Sequence, residues 1–303
     1  MSAPTTHYYT AYIAGHCSGC TEPPPSVQAS ITPTFVTWLM ASLSADRPTA
    51  VSVGESVTLT ATTNAPDKQT SIGLAIIDTS TGTTVVSCET GPQLGNSNCT
   101  ITVSQGAPGT HTYQARARNP ADAYTIAQTQ VVSNTLAEPW LSVSVAAARY
   151  IGVGKNVTVI GQANVDVGPT PYYISLYDVT GGNLQLLTAC GSGTTCSVTA
   201  TFSTAQTHTY RAYVGSAGAA ASPPTTVKAM SADTQVTWVS VTLDSALSRV
   251  APGNTLQVTA TASLDVGPTP LYIYIYLYAG TGDTLHPIGG CTSGVSCTRN
   301  LST

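Results

Sequence analysis

The chain has 303 residues, a formal net charge of -4 and only 8% Asp, Glu, Lys and Arg, against roughly 25% in an average soluble domain. Its 10 basic residues build no patch or stripe, which argues against nucleic acid as a partner, and no run of about 18 apolar residues is present to insert in a membrane as a helix. Thr and Ser carry the polarity and 26 Gly and 19 Pro punctuate it, the composition of an all-β chain with many turns.

In chain order, "SAPTTHYYTAYIAG" (2–15) aligns without gaps to "STAQTHTYRAYVGS" (203–216), and "PPPSVQASITPTFVTW" (23–38) echoes "SPPTTVKAMSADTQVTW" (222–238). The opening residues therefore read as the last two strands, F and G, of a repeat. Trp38, Trp140 and Trp238 then mark a period near one hundred residues, the scale of tandem β-sandwiches. A Gly turn and an alternating strand follow each Trp: "VGESVTLTAT" at Gly54, "VGKNVTVIGQA" at Gly154 and "PGNTLQVTATA" at Gly253.

Next comes a strand C with inward positions Ile72, Leu74 and Ile76, matched by Tyr172, Ile174 and Leu176 and by Leu271, Ile273 and Ile275. A cysteine pair closes each copy, and strand F, "THTYQARA" (110–117) or "THTYRAYV" (207–214), follows in two of them. The last copy, ending "CTSGVSCTRNLST" (291–303), stops at the phase where strand F would begin. The expected layout is an F–G hairpin (1–34), two whole immunoglobulin-like repeats (35–136 and 137–235) and a partial repeat with strands A to E (236–303).

The two ends complement each other. A repeat without F and G has an open edge and an uncovered core, and a lone hairpin is marginal in water. Stiff sandwiches on short linkers do not curl enough to close on themselves, so completion is expected in trans. Tyr9, Tyr12 and Ile13 are the expected donors, and Leu271, Ile273 and Ile275 the acceptor core. A head-to-tail contact that does not close into a ring gives a filament. Truncation of a longer repeat protein would leave the same two ends.

The eight cysteines pair as Cys17/Cys20, Cys88/Cys99, Cys190/Cys196 and Cys291/Cys297, which points to disulfides and an oxidising compartment. The five-residue loops of "CGSGTTC" and "CTSGVSC" suit a bridge across a hairpin. The segment "MSAPTTHYYTAYIAGHC" has neither the basic nor the apolar region of a secretory signal. An extracellular or cell-surface location therefore needs a signal outside these residues, or another exit route.

Candidate chemistry is thin. His16, Cys17 and Cys20 could hold zinc only with a fourth ligand such as His7; an exposed disulfide ring is the simpler reading, and no metal site is assigned. His7, His111 and His208 recur in strand F without a matching carboxylate at ligand spacing, and Tyr9, Tyr113 and Tyr210 follow as expected ties of the E–F corner to the backbone. Asp166 and Asp265 open "DVGPTP" loops, with Asp67 nearby in the first copy; one acid per loop fits a turn better than calcium. No catalytic constellation or cofactor motif stands out, so no enzyme activity and no cofactor are expected. In "LYIYIYLY" (271–278), Leu271, Ile273, Ile275 and Leu277 face the core. Tyr272, Tyr274, Tyr276 and Tyr278 face outward, as a cross-strand ladder or as a surface for sugar rings.

The run "VDVGPTPYYISLYDVTGG…CGSGTTCSVTATFS…THTYRAYV…SPPTTVKA…VTW" resembles the tandem immunoglobulin-like repeats of large secreted or surface proteins of actinobacteria. The resemblance covers essentially the whole chain and implies spacers, stalks and adhesive surfaces, with no catalytic set to carry over. The first expectation is an extracellular structural filament that is its own partner. The alternatives are an adhesin or carbohydrate-binding module for a cell-surface glycan or protein, and a phage virion decoration or tail protein.

Overall fold

The computed structural model describes residues 6–14, 27–30, 34–37, 39–47, 50–64, 72–89, 97–119, 130–278 and 284–302. Among them the regular structure is β-strand, apart from one 3-10 turn at Thr180–Gly182. No helix among the described residues is long and apolar enough to cross a membrane. The chain divides into two compact units, Met1–Trp140 and Leu141–Thr303.

The first unit opens with four short strands, β1 (Thr6–Tyr9), β2 (Tyr12–Ala14), β3 (Val27–Ser30) and β4 (Thr34–Thr37). They pair as β1–β4 and β2–β3. Nine strands follow: β5 (Ala41–Ala45), β6 (Val51–Ser52), β7 (Ser56–Thr63), β8 (Gly73–Asp78), β9 (Thr83–Cys88), β10 (Asn98–Ser104), β11 (Gly109–Arg118), β12 (Val131–Val132) and β13 (Leu136–Leu141). One sheet has the order β10-β7-β5; the other has β6-β13-β11-β8-β9, with β12 beside β11.

Strand alternation sends every second residue inward. Val57, Leu59 and Ala61 of β7 meet Leu74 and Ile76 of β8, Tyr113, Ala115 and Ala117 of β11, and Trp140 of β13 in one buried core. This is a sandwich-like packing of two sheets.

The second unit repeats the plan with β14 (Val143–Ala146), β15 (Tyr150–Gly152), β16 (Val157–Ala163), β17 (Tyr173–Asp178), β18 (Gln185–Cys190), β19 (Thr195–Ala200), β20 (Gln206–Gly215), β21 (Val227–Met230) and β22 (Thr234–Val239). The orders are β14-β16-β19 and β15-β22-β20-β17-β18, with β21 beside β20, so the two repeats match strand for strand. Trp140 and Trp238 are fully buried. Their Nε1 atoms donate to the Glu55 and Lys155 carbonyls of the same repeat, each at 3.2 Å. Each Trp thus closes the sheet before it, past the expected repeat ends at 136 and 235.

The third repeat holds β23 (Val241–Ser245), β24 (Thr255–Ala262), β25 (Ile273–Leu277), β26 (His286–Cys291) and β27 (Ser296–Ser302). The sheet β23-β24-β27 reproduces β14-β16-β19, but the other sheet is β25-β26 alone. A small core remains: Val258, Ala260, Val266, Ile273, Ile275 and Cys297.

Disulfides join Cys88 to Cys99, Cys190 to Cys196 and Cys291 to Cys297, with Cα separations of 6.0, 5.6 and 5.5 Å. Such bridges belong to an oxidising environment. They correct the hairpin expectation. Cys88, Cys190 and Cys291 lie in or at the end of one sheet, and Cys99, Cys196 and Cys297 in the opposite sheet; in the second and third repeats the short loop between them carries the chain from sheet to sheet. Cys17 and Cys20 lie outside the described residues.

The repeated "DVGPTP" loop pins this crossing. Asp166 Oδ1 accepts from the amides of Gly168 and Gly193 at 2.7 Å, and Asp265 Oδ1 from those of Gly267 and Gly294 at 2.8 Å. Gly193 and Gly294 have φ of 81° and 87°, a conformation that favours glycine. Both acids therefore serve turns, as expected; Asp67 lies outside the described residues.

Candidate functional site

The first half of the candidate site is the hairpin. In the second repeat, β20 pairs with β22 as Thr207↔Thr237, His208↔Val236 and Tyr210↔Thr234, then with β21 as Tyr213↔Met230, Val214↔Ala229 and Gly215↔Val227, with an irregularity after Val214. The N-terminal strands pair as Thr6↔Thr37, His7↔Val36 and Tyr9↔Thr34, then as Tyr12↔Ser30, Ile13↔Ala29 and Ala14↔Val27, with the irregularity after Ile13. The register is the same position by position, bulge included. A bulge is a positioned feature of a sheet and not an accident of fraying. Tyr9 corresponds to Tyr113 and Tyr210, which are fully buried, yet it is 55% exposed.

The second half is the open side of the third repeat. There β25 hydrogen-bonds to β26 on one edge, whereas β17 also pairs with β20 along its whole length, from Tyr173↔Gly215 to Asp178↔Tyr210. Residues of β23 on the side that β20 covers in the second repeat are exposed. Val241 and Leu243 of β23 are 64% and 62% exposed, although their counterparts Val143 and Leu43 are buried. Two apolar grooves result. One of about 420 Å³ is lined by Val241, Ala262, Leu264, Val266, Leu271 and Ile273. The other, about 300 Å³, is lined by Leu243, Leu256, Val258, Ile275, Leu277 and Leu301.

Of the expected acceptor residues, Ile273 and Ile275 are buried and aim inward, and Leu271 is half-buried in the first groove. Leu277 does not join the core: it is 55% exposed. Its counterpart in the complete repeats is an aspartate, Asp78 or Asp178. The tyrosine row is exposed as the alternation predicts, with ring centroids 5.9 Å apart for Tyr272–Tyr274 and 6.3 Å for Tyr274–Tyr276; Tyr278 is exposed beyond it.

Two expectations for strand F are corrected. His111 and His208 do have carboxylate partners: His111 Nδ1 lies 2.7 Å from Asp78 Oδ2, and His208 Nδ1 lies 2.6 Å from Asp178 Oδ2. Each ring also packs edge-on to the buried Trp, at 5.6 Å for His111–Trp140 and 5.7 Å for His208–Trp238. Burial pulls the Asp78 carboxyl upward, but hydrogen bonds from Ser80 and His111 outweigh it and hold its pKa below the usual 3.8. The signal available was the aspartate ending strand C in both complete repeats. Tyr113 and Tyr210 do not tie the corner to the backbone: Tyr113 Oη receives the Gln105 Nε2 amide at 3.5 Å, and Tyr210 Oη is buried without a hydrogen-bond partner.

Among the described residues no group of three or more His, Cys, Asp or Glu is placed to hold a metal ion. The side chain of His7 and the whole of His16 fall outside the described set. No protein-family model matches the chain, and no curated protein matches it.

Proposed function

We propose that this chain is a non-catalytic structural protein that polymerises head to tail outside the cell. It would be an array of immunoglobulin-like sandwiches in which the hairpin of one subunit completes the open third sandwich of the next. The single observation that carries this reading is the shared register. The strands β1 to β4 pair with one another as β20 pairs with β21 and β22 in the second repeat. The third repeat also carries two apolar grooves, which on this reading would take the side chains of that hairpin.

Transferring the β17–β20 register places Ile13 opposite Ile273, Tyr12 opposite Tyr274, Ala11 opposite Ile275 and Tyr9 opposite Leu277. Main-chain hydrogen bonds along β25 would supply affinity, and the side chains entering the grooves would supply specificity. The contact is heterologous, so repetition builds a fibre when it does not close. The disulfides that sew the sheets suit the oxidising surroundings of such a fibre.

The test is assembly of the purified chain, followed by sedimentation and negative-stain imaging. Filaments of the full chain, discrete particles after deletion of residues 1–38, and binding of a synthetic 1–38 peptide to the truncated chain are the expected results. Polymers formed by the truncated chain, or discrete monomers of the full chain at high concentration, would overturn the proposal.

A further inference from the structure

The centre of the outer face of the strand that carries the tyrosines is covered in both complete repeats. In the second repeat Ser175 and Tyr177 point away from the core, yet both are fully buried. The segment after β20 folds back over them. Tyr177 Oη donates to the carbonyls of Ala219 and Ser222 at 3.2 and 3.0 Å, and its ring meets Tyr213 edge-on at 5.4 Å. Gly218 lies so close that a Cβ there would fall 2.6 Å from Tyr177 Oη and 2.9 Å from Ser175 Oγ. The first repeat covers the same face by other means. Ala75 is fully buried, and Glu89 closes over Gly73, its carboxylate gripped by Arg116 at 3.0 Å and Arg118 at 2.7 Å.

In the third repeat the counterparts of Ser175 and Tyr177 are Tyr274 and Tyr276, and they are 59% and 44% exposed. In the second repeat the cover comes from β20 and the segment after it, and in the first the arginines that hold Glu89 in place stand on β11; a second copy's hairpin would bring the strand equivalent to β20 and β11. Tyr12 stands at the register position of Tyr213, and Tyr213 is the cross-strand partner of Ser175.

We propose that Tyr274 and Tyr276 form an outer layer of the joint between two copies of this chain, packing against Tyr12 of the incoming hairpin, so that β25 is clamped on both faces. This rests on the strand-completion reading and adds to it, because core filling alone would leave the tyrosines open. Aromatic pairs of this kind add attraction beyond the area they bury, and a tyrosine keeps its hydroxyl wet or bonded while its ring is covered.

The experiment compares tyrosine nitration in assembled and dissociated protein, and measures the critical concentration of Tyr274→Ala/Tyr276→Ala. Expected are protection of Tyr274, Tyr276 and Tyr12 on assembly, and continued reactivity of Tyr272, whose counterpart Tyr173 stays exposed in the complete repeat. The critical concentration should rise tenfold or more in the double variant, with its circular dichroism unchanged. Polymers whose three tyrosines react as readily as in dissociated protein, or a double variant that assembles like the parent, would overturn the outer layer and leave strand completion standing. Tyrosine-dependent capture of the intact polymer on glycan arrays would overturn it too, by showing the row open. Failure of the parent chain to polymerise would sink both.

Discussion

Val143 and Val241 hold the same place on the first strand of successive repeats, yet one is buried and the other is 64% exposed. The same contrast separates Tyr177 from Tyr276 and Leu43 from Leu243. The residues are alike; what differs is that β20 packs over β14 in the second repeat, whereas β25 of the third pairs, among the described residues, with β26 alone. Burial here belongs to the neighbouring strand more than to the side chain.

The largest expected effect breaks the comparison directly. Val143→Asp places a charge under β20 and should cost the second repeat about 4 kcal/mol or more, read as an early melting transition by calorimetry. Val241→Asp should leave the dissociated chain's melting unchanged within about 0.5 kcal/mol and abolish polymer in the ultracentrifuge. Equal melting losses from the two would mean that the exposed face is already covered.

The converse test keeps the cover and changes the residue. Glu138 and Val236 are equivalent partners of His111 and His208. Burial, helped by the charge of Asp46, raises the Glu138 pKa from 4.5 to about 7. The folded state therefore holds a proton that the unfolded chain releases, and stability falls as pH rises from 4.5 towards 7, then levels off. Glu138→Gln should stabilise the first repeat by on the order of 1–3 kcal/mol at pH 8 and by nothing at pH 4, in urea titrations at the two pH values.

A smaller effect is expected at the pair that the open repeat lacks. The depressed pKa of Asp78 contributes stability that is complete above its unfolded value and lost as pH falls through the folded one. Asp78→Asn should cost about 1–2 kcal/mol at pH 7, with the difference closing below the usual carboxylate range. Smallest of all, Tyr210→Phe removes a buried hydroxyl that bonds to nothing and should change stability by less than about 1 kcal/mol in either direction, as followed by thermal melting.

The strands and three of the four cysteine pairs were legible because duplication supplies its own alignment: "DVGPTP" occurring twice fixes the frame for everything after it. The sheet each cysteine joins was not, since a five-residue Gly/Ser/Thr loop reads alike as a hairpin and as a crossing between sheets. Asp78 and Asp178 escaped notice because their histidines stand about thirty residues away, and only sheet order brings them together. Leu277 was misread as core because strand alternation continues through it, although its counterparts are aspartates.

The bridge between Cys190 and Cys196 spans a sequence separation of 6, and that brevity has a mechanical side. If a repeat were pulled from its two ends, the bridge would withhold only about 20 Å of contour, at roughly 3.3–3.6 Å for each residue spanned. It therefore resists the first parting of the layers while leaving nearly all of the folded length available to extend. A thread of such units would be stiff under small loads and would yield stepwise, one module at a time, under large ones.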